Sequence, residues 1–194
     1  MTIHRRMELL TQKLAERCRQ IDRKSIDRFM AAIVAANNIF IHGAGRSGLV
    51  GRAFAMRLMH LGFKVYVVGE TTTPPIHKGD LYMAVSGSGK TSTVLAIAKT
   101  AKTLGARIAV ITSHPDSPMG ELANLRVVIK GRETTKGGND YLARQLLGQH
   151  EPLTPLGTLF ELSTMVFLDS VIEELMIVEN KTEGELKTLH TNLE

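Results

Sequence analysis

Cysteine, tryptophan and long apolar runs are what this chain has least of. Its 194 residues include one cysteine, no tryptophan and 5% aromatic residues. Cys18 alone forms no internal disulfide and offers no cysteine cluster to a metal, as expected of a protein kept in a reducing compartment. No group of histidines has metal-ligand spacing, so no metal site is expected. No stretch stays apolar for the roughly 20 residues that a membrane-spanning helix needs. The basic start, Met1-Thr2-Ile3-His4-Arg5-Arg6, is not followed by an apolar signal segment, and the expectation is a cytoplasmic protein away from any membrane. Much of the net charge of +5 lies in Arg5, Arg6, Lys13, Arg17, Arg19, Arg23, Lys24 and Arg28. No aromatic residues interleave these cations and no recognised binding motif accompanies them. They read as a solvated helix face, and no nucleic-acid partner is expected.

What is present is the apolar content of an ordinary globular chain, 43%. At this length that builds one sizeable core, so residues 1–194 are read as a single domain. Helical spacing runs from about 4 to 37, with Met7, Leu10, Leu14 and Cys18 on one face, then Ile26, Phe29, Met30, Ile33 and Val34 on a second helix. Beyond it, apolar β-branched runs near 39–42, 64–68, 81–85, 107–112 and 125–129 are separated by helical patterns near 47–61, 91–104 and 117–123. This alternation predicts an α/β fold: a doubly wound, five-stranded parallel sheet in the flavodoxin-like order 2-1-3-4-5, with helices on both faces. Residues 131–153 read as a loop with a helical turn around Tyr141–Leu147. Thr154 as N-cap and Pro155 at the first position then open a helix to about Val178. That helix is apolar on nearly all sides, which predicts burial all round at a subunit interface. A short helix from about Thr182 carries His190 near its end.

Two glycine-rich loops follow the first and third strands. One is Gly43-Ala44-Gly45-Arg46-Ser47-Gly48, the other Ser86-Gly87-Ser88-Gly89-Lys90-Thr91-Ser92. Glycine permits sharp turns and close backbone approach, and a helix that starts at such a loop points unpaired N–H groups at an anion. Three readings compete. Gly43, Gly45 and Gly48, with Glu70 further on, match a dinucleotide fingerprint. Ala84 to Thr91 match a relaxed nucleotide phosphate loop, but the later strands end in Ile111-Thr112-Ser113 and Ile129-Lys130-Gly131, with no acidic residue to organise magnesium. A phosphosugar held from both sides uses both loops at once. In the order 2-1-3-4-5 the winding reverses between strands 1 and 3, so both loops should face one crevice.

The same loops, with Phe54-Ala55-Met56-Arg57-Leu58-Met59-His60, Val68-Gly69-Glu70, Thr73-Pro74-Pro75, Pro155-Leu156-Gly157-Thr158-Leu159-Phe160-Glu161 and the terminal His190-Thr191-Asn192-Leu193-Glu194, resemble the sugar isomerase (SIS) domain family over nearly the whole chain. More narrowly they resemble its branch acting on 3-hexulose 6-phosphates. Lys90 departs from the acidic or other polar residue common there, and Thr191 from the usual alanine. The resemblance implies a cofactor-independent isomerase that interconverts 3-hexulose 6-phosphate and fructose 6-phosphate through an enediol. It would serve ribulose monophosphate metabolism, in formaldehyde fixation or pentose synthesis. It also implies a homo-oligomer, a tetramer before a dimer, with active sites at subunit interfaces. Another sugar-phosphate isomerase, or a non-catalytic phosphosugar-binding regulator, is the alternative.

Within that frame the base is assigned to Glu161, a carboxylate in the second turn of an otherwise apolar helix, with pairing to Arg57 as the competing role. Gly45, Arg46, Ser47, Ser86, Gly87, Ser88, Gly89, Thr91 and Ser92 are assigned to the substrate's phosphate and hydroxyls. His60 follows Ser47 by thirteen residues on one helix, about 20 Å at 1.5 Å per residue. A catalytic His60 must therefore serve a neighbouring subunit. His190 is assigned to close over a pocket of its own or another chain, while His42 reads as a packing residue at a strand end.

Overall fold

The computed structural model describes residues 2–131, 157–190 and 192. Two helices come first, α1 (Ile3–Arg19) and α2 (Arg23–Val34). Five strands follow: β1 (Ile39–Gly43), β2 (Val65–Val67), β3 (Leu81–Val85), β4 (Arg107–Thr112) and β5 (Leu125–Val128). Between them lie α3 (Gly45–His60), α4 (Ser92–Thr103) and α5 (Pro118–Leu122). The next described helices are α6 (Thr158–Val178) and α7 (Glu183–Thr188). All strand pairs are parallel and the sheet runs β2-β1-β3-β4-β5, as the alternation of patterns predicts.

Side-chain alternation divides the sheet into two cores. Ile39, Ile41, Leu81, Met83, Val85, Ala109 and Ile111 pack on one face with α2, α3 and α6. Phe40, Tyr82, Ala84, Ile108 and Val110 pack on the other with α4 and α5. Every residue of β3 is buried, the continuous apolar run expected of a central parallel strand. Full burial of each large apolar side chain contributes about 1.5–3 kcal/mol, so the central strands hold the framework on which the loops stand.

One expectation needs correction. Gly157 occupies the cap of α6, so Glu161 lies in the first helical turn and not the second; Thr154, Pro155 and the turn around Tyr141–Leu147 fall outside the described residues. Within one chain α6 is buried along one side. Leu159, Phe160, Phe167, Leu168, Val171, Ile172 and Leu175 sink into the chain's own core, while Val166, Asp169, Ser170, Glu173 and Ile177 face outward.

Candidate active site

The central geometric expectation holds. Gly43 of β1 stands opposite Val85 of β3 in register, so the two strands end level and the glycine loops leave side by side. Local sterics explain the glycines of the first loop. A Cβ on Gly43 would sit 2.9 Å from the Gly48 nitrogen, and one on Gly48 would sit 2.6 Å from the Gly43 carbonyl oxygen. Only bare backbone lets strand and helix meet so closely. Gly45 has a φ of +57°, a left-handed conformation that favours glycine.

The second loop is stapled to the strand beside it. The Gly87 carbonyl accepts the Ser113 N–H at 3.0 Å and the Thr112 hydroxyl at 3.2 Å, while the Gly89 carbonyl accepts the Met119 N–H at 3.1 Å. Gly89 has a φ of +63° and lies against Ser117, leaving no room for a Cβ. Thr112 and Ser113, which the sequence offers only as the absence of an acidic strand end, thus hold the loop in place. Two hydroxyl residues where a strand ends, Thr112 as its last residue and Ser113 just after it, are the available signal.

The first turn of α6 closes the third side. Phe160 packs so tightly on Gly87 that a Cβ there would lie 2.9 Å from its ring. This docking brings the neighbouring Glu161, 12% exposed at its side chain, to the same crevice. There its carboxylate accepts a hydrogen bond from the Arg46 Nε–H of the first loop, forming an ion pair. Arg46, not Arg57, is therefore its cation. Arg46 and Glu161 are 115 residues apart in sequence, a pairing that no local pattern shows.

Capping separates this crevice from the rest of the molecule. Side chains cap α1 (Thr2), α2 (Asp22), α5 (Ser117) and α7 (Thr182). The three helices that start at the crevice have none: Ala44, Thr91 and Gly157 make no side-chain cap to α3, α4 and α6. Their first N–H groups lack intrahelical acceptors and the helix dipoles direct partial positive charge at the same space. Among the described residues, the hydroxyls of Ser47, Ser86, Thr91 and Ser92 have no hydrogen-bond partner within the chain, and that of Ser88 accepts one bond, from the Lys90 N–H at 3.2 Å. Ser86 is buried, Ser47 and Thr91 half-buried, and Ser88, Lys90 and Ser92 exposed. Such a convergence of N–H groups and hydroxyls suits a phosphate. Glu70, the acidic residue of the dinucleotide pattern, instead pairs with Arg52 at 2.6 Å.

The remaining assigned residues lie elsewhere. Helix α3 runs unbroken from Gly45 to His60, so His60 ends it about 20 Å from Ser47. His60 is buried, and its ring stands 4.9 Å, centroid to centroid, from that of the exposed His190. Burial, then His190 and Arg57, holds the His60 imidazole below its ordinary pKa. Neither histidine reaches the crevice of its own chain. Thr191, Leu193 and Glu194 are outside the described residues.

Known proteins share this architecture. Residues 32–145 match the family model of the SIS domain. A Methylomonas aminofaciens protein named 3-hexulose-6-phosphate isomerase is 43% identical over 187 residues, 96% of this chain and 97% of its own. A Bacillus subtilis protein of the same name is 37% identical over 174 residues, 90% of this chain and 89% of its own. A crystal structure from Methanococcus jannaschii, from which a function of 3-hexulose-6-phosphate isomerase has been inferred, superposes with a TM-score of 0.79 at 38% identity, covering 97% of this chain and 98% of its own. The chain belongs to the SIS domain family.

Proposed function

We propose that this chain is an isomerase that interconverts D-arabino-3-hexulose 6-phosphate and D-fructose 6-phosphate. The observation that carries the reading is the meeting of Glu161 with both glycine loops at one crevice, in a chain whose relatives bear that enzyme's name over nearly their full length. The loop hydroxyls of Ser47, Ser86, Ser88, Thr91 and Ser92, with the first backbone N–H groups of α3 and α4, bind the phosphate and sugar hydroxyls. Hydrogen bonds to a charged group contribute about 1.5–3 kcal/mol each. Anchoring the distant phosphate in this way holds carbons 2 and 3 against the base.

The Glu161 carboxylate takes the proton from carbon 2 of the hexulose. The C–H electrons form the C2=C3 double bond and the former carbonyl oxygen on carbon 3 takes up a proton, giving the enediol. The hydroxyl on carbon 2 then gives up its proton, C2=O forms, and Glu161 delivers its proton to carbon 3. Arg46 orients the carboxylate and stabilises negative charge on the enediol oxygens. No cofactor enters the balance. The reaction belongs to ribulose monophosphate metabolism, in either direction.

We assign His60 and His190 to a neighbouring subunit's crevice, with His190 as the outer ring. Leu49, Met56 and Met59 form an exposed apolar stripe on α3, which suits burial against a second copy, and a tetramer is favoured over a dimer. Mixing His60→Ala chains with Ser47→Ala chains should regain activity from two inactive parents. Recovery no better than either parent alone would contradict sharing.

The reaction itself is tested by following fructose 6-phosphate formation from the 3-hexulose phosphate. Turnover supports the reading. Turnover of a five-carbon sugar phosphate alone would make this a different isomerase, and binding without turnover would make it a phosphosugar-responsive regulator.

A further inference from the structure

A buried tyrosine in β3 has a role that the mechanism above leaves unassigned. Tyr82 is 1% exposed, and its hydroxyl donates to the carbonyl of Val94, in the first turn of α4, at 3.2 Å. The same hydroxyl lies 2.6 Å from Nδ1 of His42 on β1. One phenol thus ties together three elements: the strand entering the second glycine loop, the helix leaving it, and the strand that carries the first loop.

Counting protons assigns the direction of each bond. A phenol has one proton, and a carbonyl can only accept, so Tyr82 donates to Val94. His42 must then donate its Nδ1–H to the Tyr82 oxygen. Burial keeps the His42 imidazole below its ordinary pKa and pushes the Tyr82 phenol up, so both groups stay neutral and keep these roles at neutral pH. A packing residue at a strand end needs no such partner, yet the two rings meet edge to face with centroids 6.0 Å apart.

We propose that Tyr82 and His42 are positioning residues for the sugar-phosphate site: their shared hydrogen bonds fix the first turn of α4 against β1 and β3 and so set the spacing between the two glycine loops. The proposal rests on the isomerase reading and adds a determinant of substrate affinity outside the crevice. Neither side chain need touch substrate. Because the strut governs where the phosphate ligands stand and not the proton transfer, its loss should appear in binding and leave turnover at saturation alone.

Calorimetric affinity for fructose 6-phosphate and steady-state kinetics are measured on the full chain and on Tyr82→Phe, His42→Leu, His42→Asn and the Tyr82→Phe/His42→Leu pair. Tyr82→Phe removes one oxygen and keeps the ring, so the core stays filled. Tyr82→Phe and His42→Leu are each expected to raise Kd and KM about threefold to tenfold, the worth of one or two buried hydrogen bonds, with kcat within about twofold. The pair should be no weaker than the worse single variant. His42→Asn, which retains a donor near the Nδ1 position, should recover most of the loss. Unchanged Kd and KM in Tyr82→Phe, additive losses in the pair, or His42→Asn as weak as His42→Leu would overturn the strut. A wild-type chain that neither binds nor converts the sugar phosphate would remove the isomerase reading and the strut with it. An active wild type whose Kd and KM are matched by Tyr82→Phe removes the strut alone.

Discussion

The two ends of the sheet put their polar residues to different purposes. At the amino-terminal edge, polar groups pair with one another. Asn38 donates to the buried Asp80 at 2.8 Å, the His77 N–H donates to the other Asp80 oxygen at 2.7 Å, and Asn124 accepts the Ile108 N–H at 2.8 Å. At the carboxyl-terminal edge, Ser47, Ser86, Thr91 and Ser92 have hydroxyls with no partner among the described residues, above three helices without side-chain caps. One end satisfies its polar groups to hold the fold; the other pairs Thr112 and Ser113 to hold its loop and keeps these four hydroxyls available for an anion. Among hydroxyl residues at that one end, the partners and not the residue type decide the contribution.

The largest expected effect breaks the chemistry at the open end without touching the other. Glu161→Gln should lower turnover about a hundred- to ten-thousandfold, the range of general base catalysis, with KM nearly unchanged; single-turnover and steady-state rates check this. Thr91→Asp sharpens the contrast by closing the open end. It supplies the cap that α4 lacks, worth about 0.5–2 kcal/mol of stability, and sets a carboxylate where the phosphate should bind. The melting temperature should hold or rise while affinity for fructose 6-phosphate falls about tenfold or more, read by calorimetry.

Asp80→Ala and Ser86→Ala form the matched pair. Asp80→Ala removes the acceptor of two part-buried hydrogen bonds and should cost about 1–3 kcal/mol in denaturant unfolding, with KM unmoved. Ser86→Ala should raise KM about tenfold and leave stability alone. If both residues moved the same quantity, the contrast between the two ends would fail.

The smallest effect concerns pH. His60 has a folded-state pKa below its unfolded value of 6.5, so the unfolded chain binds more protons as pH falls through that range. Stability should therefore decrease below about pH 6.5, and His60→Asn should flatten part of that slope in thermal melts at stepped pH.

Much of this contrast was legible in the sequence. Continuous apolar runs such as Leu81 to Val85 marked buried parallel strands, and their alternation with helices left the order 2-1-3-4-5, which brings both glycine loops to one crevice. Pairings across long separations were not legible. The cation beside Glu161 is Arg46 and not Arg57, because the docking of Phe160 on Gly87 decides which guanidinium the carboxylate meets. The division of α6 into a face sunk in this chain's core and an outer face with Asp169, Ser170 and Glu173 was not legible from apolar content alone. Tyr82 read as one more apolar strand residue, and only the fold brings its hydroxyl to His42 and Val94.

The most direct test is a crystal structure of the chain grown with fructose 6-phosphate. The phosphate should lie within hydrogen-bonding distance of Ser47 and the Ser86–Ser92 loop, with the Glu161 carboxylate facing carbons 2 and 3 of the sugar. A phosphate bound at any other surface, or a sugar turned away from Glu161, would contradict the account.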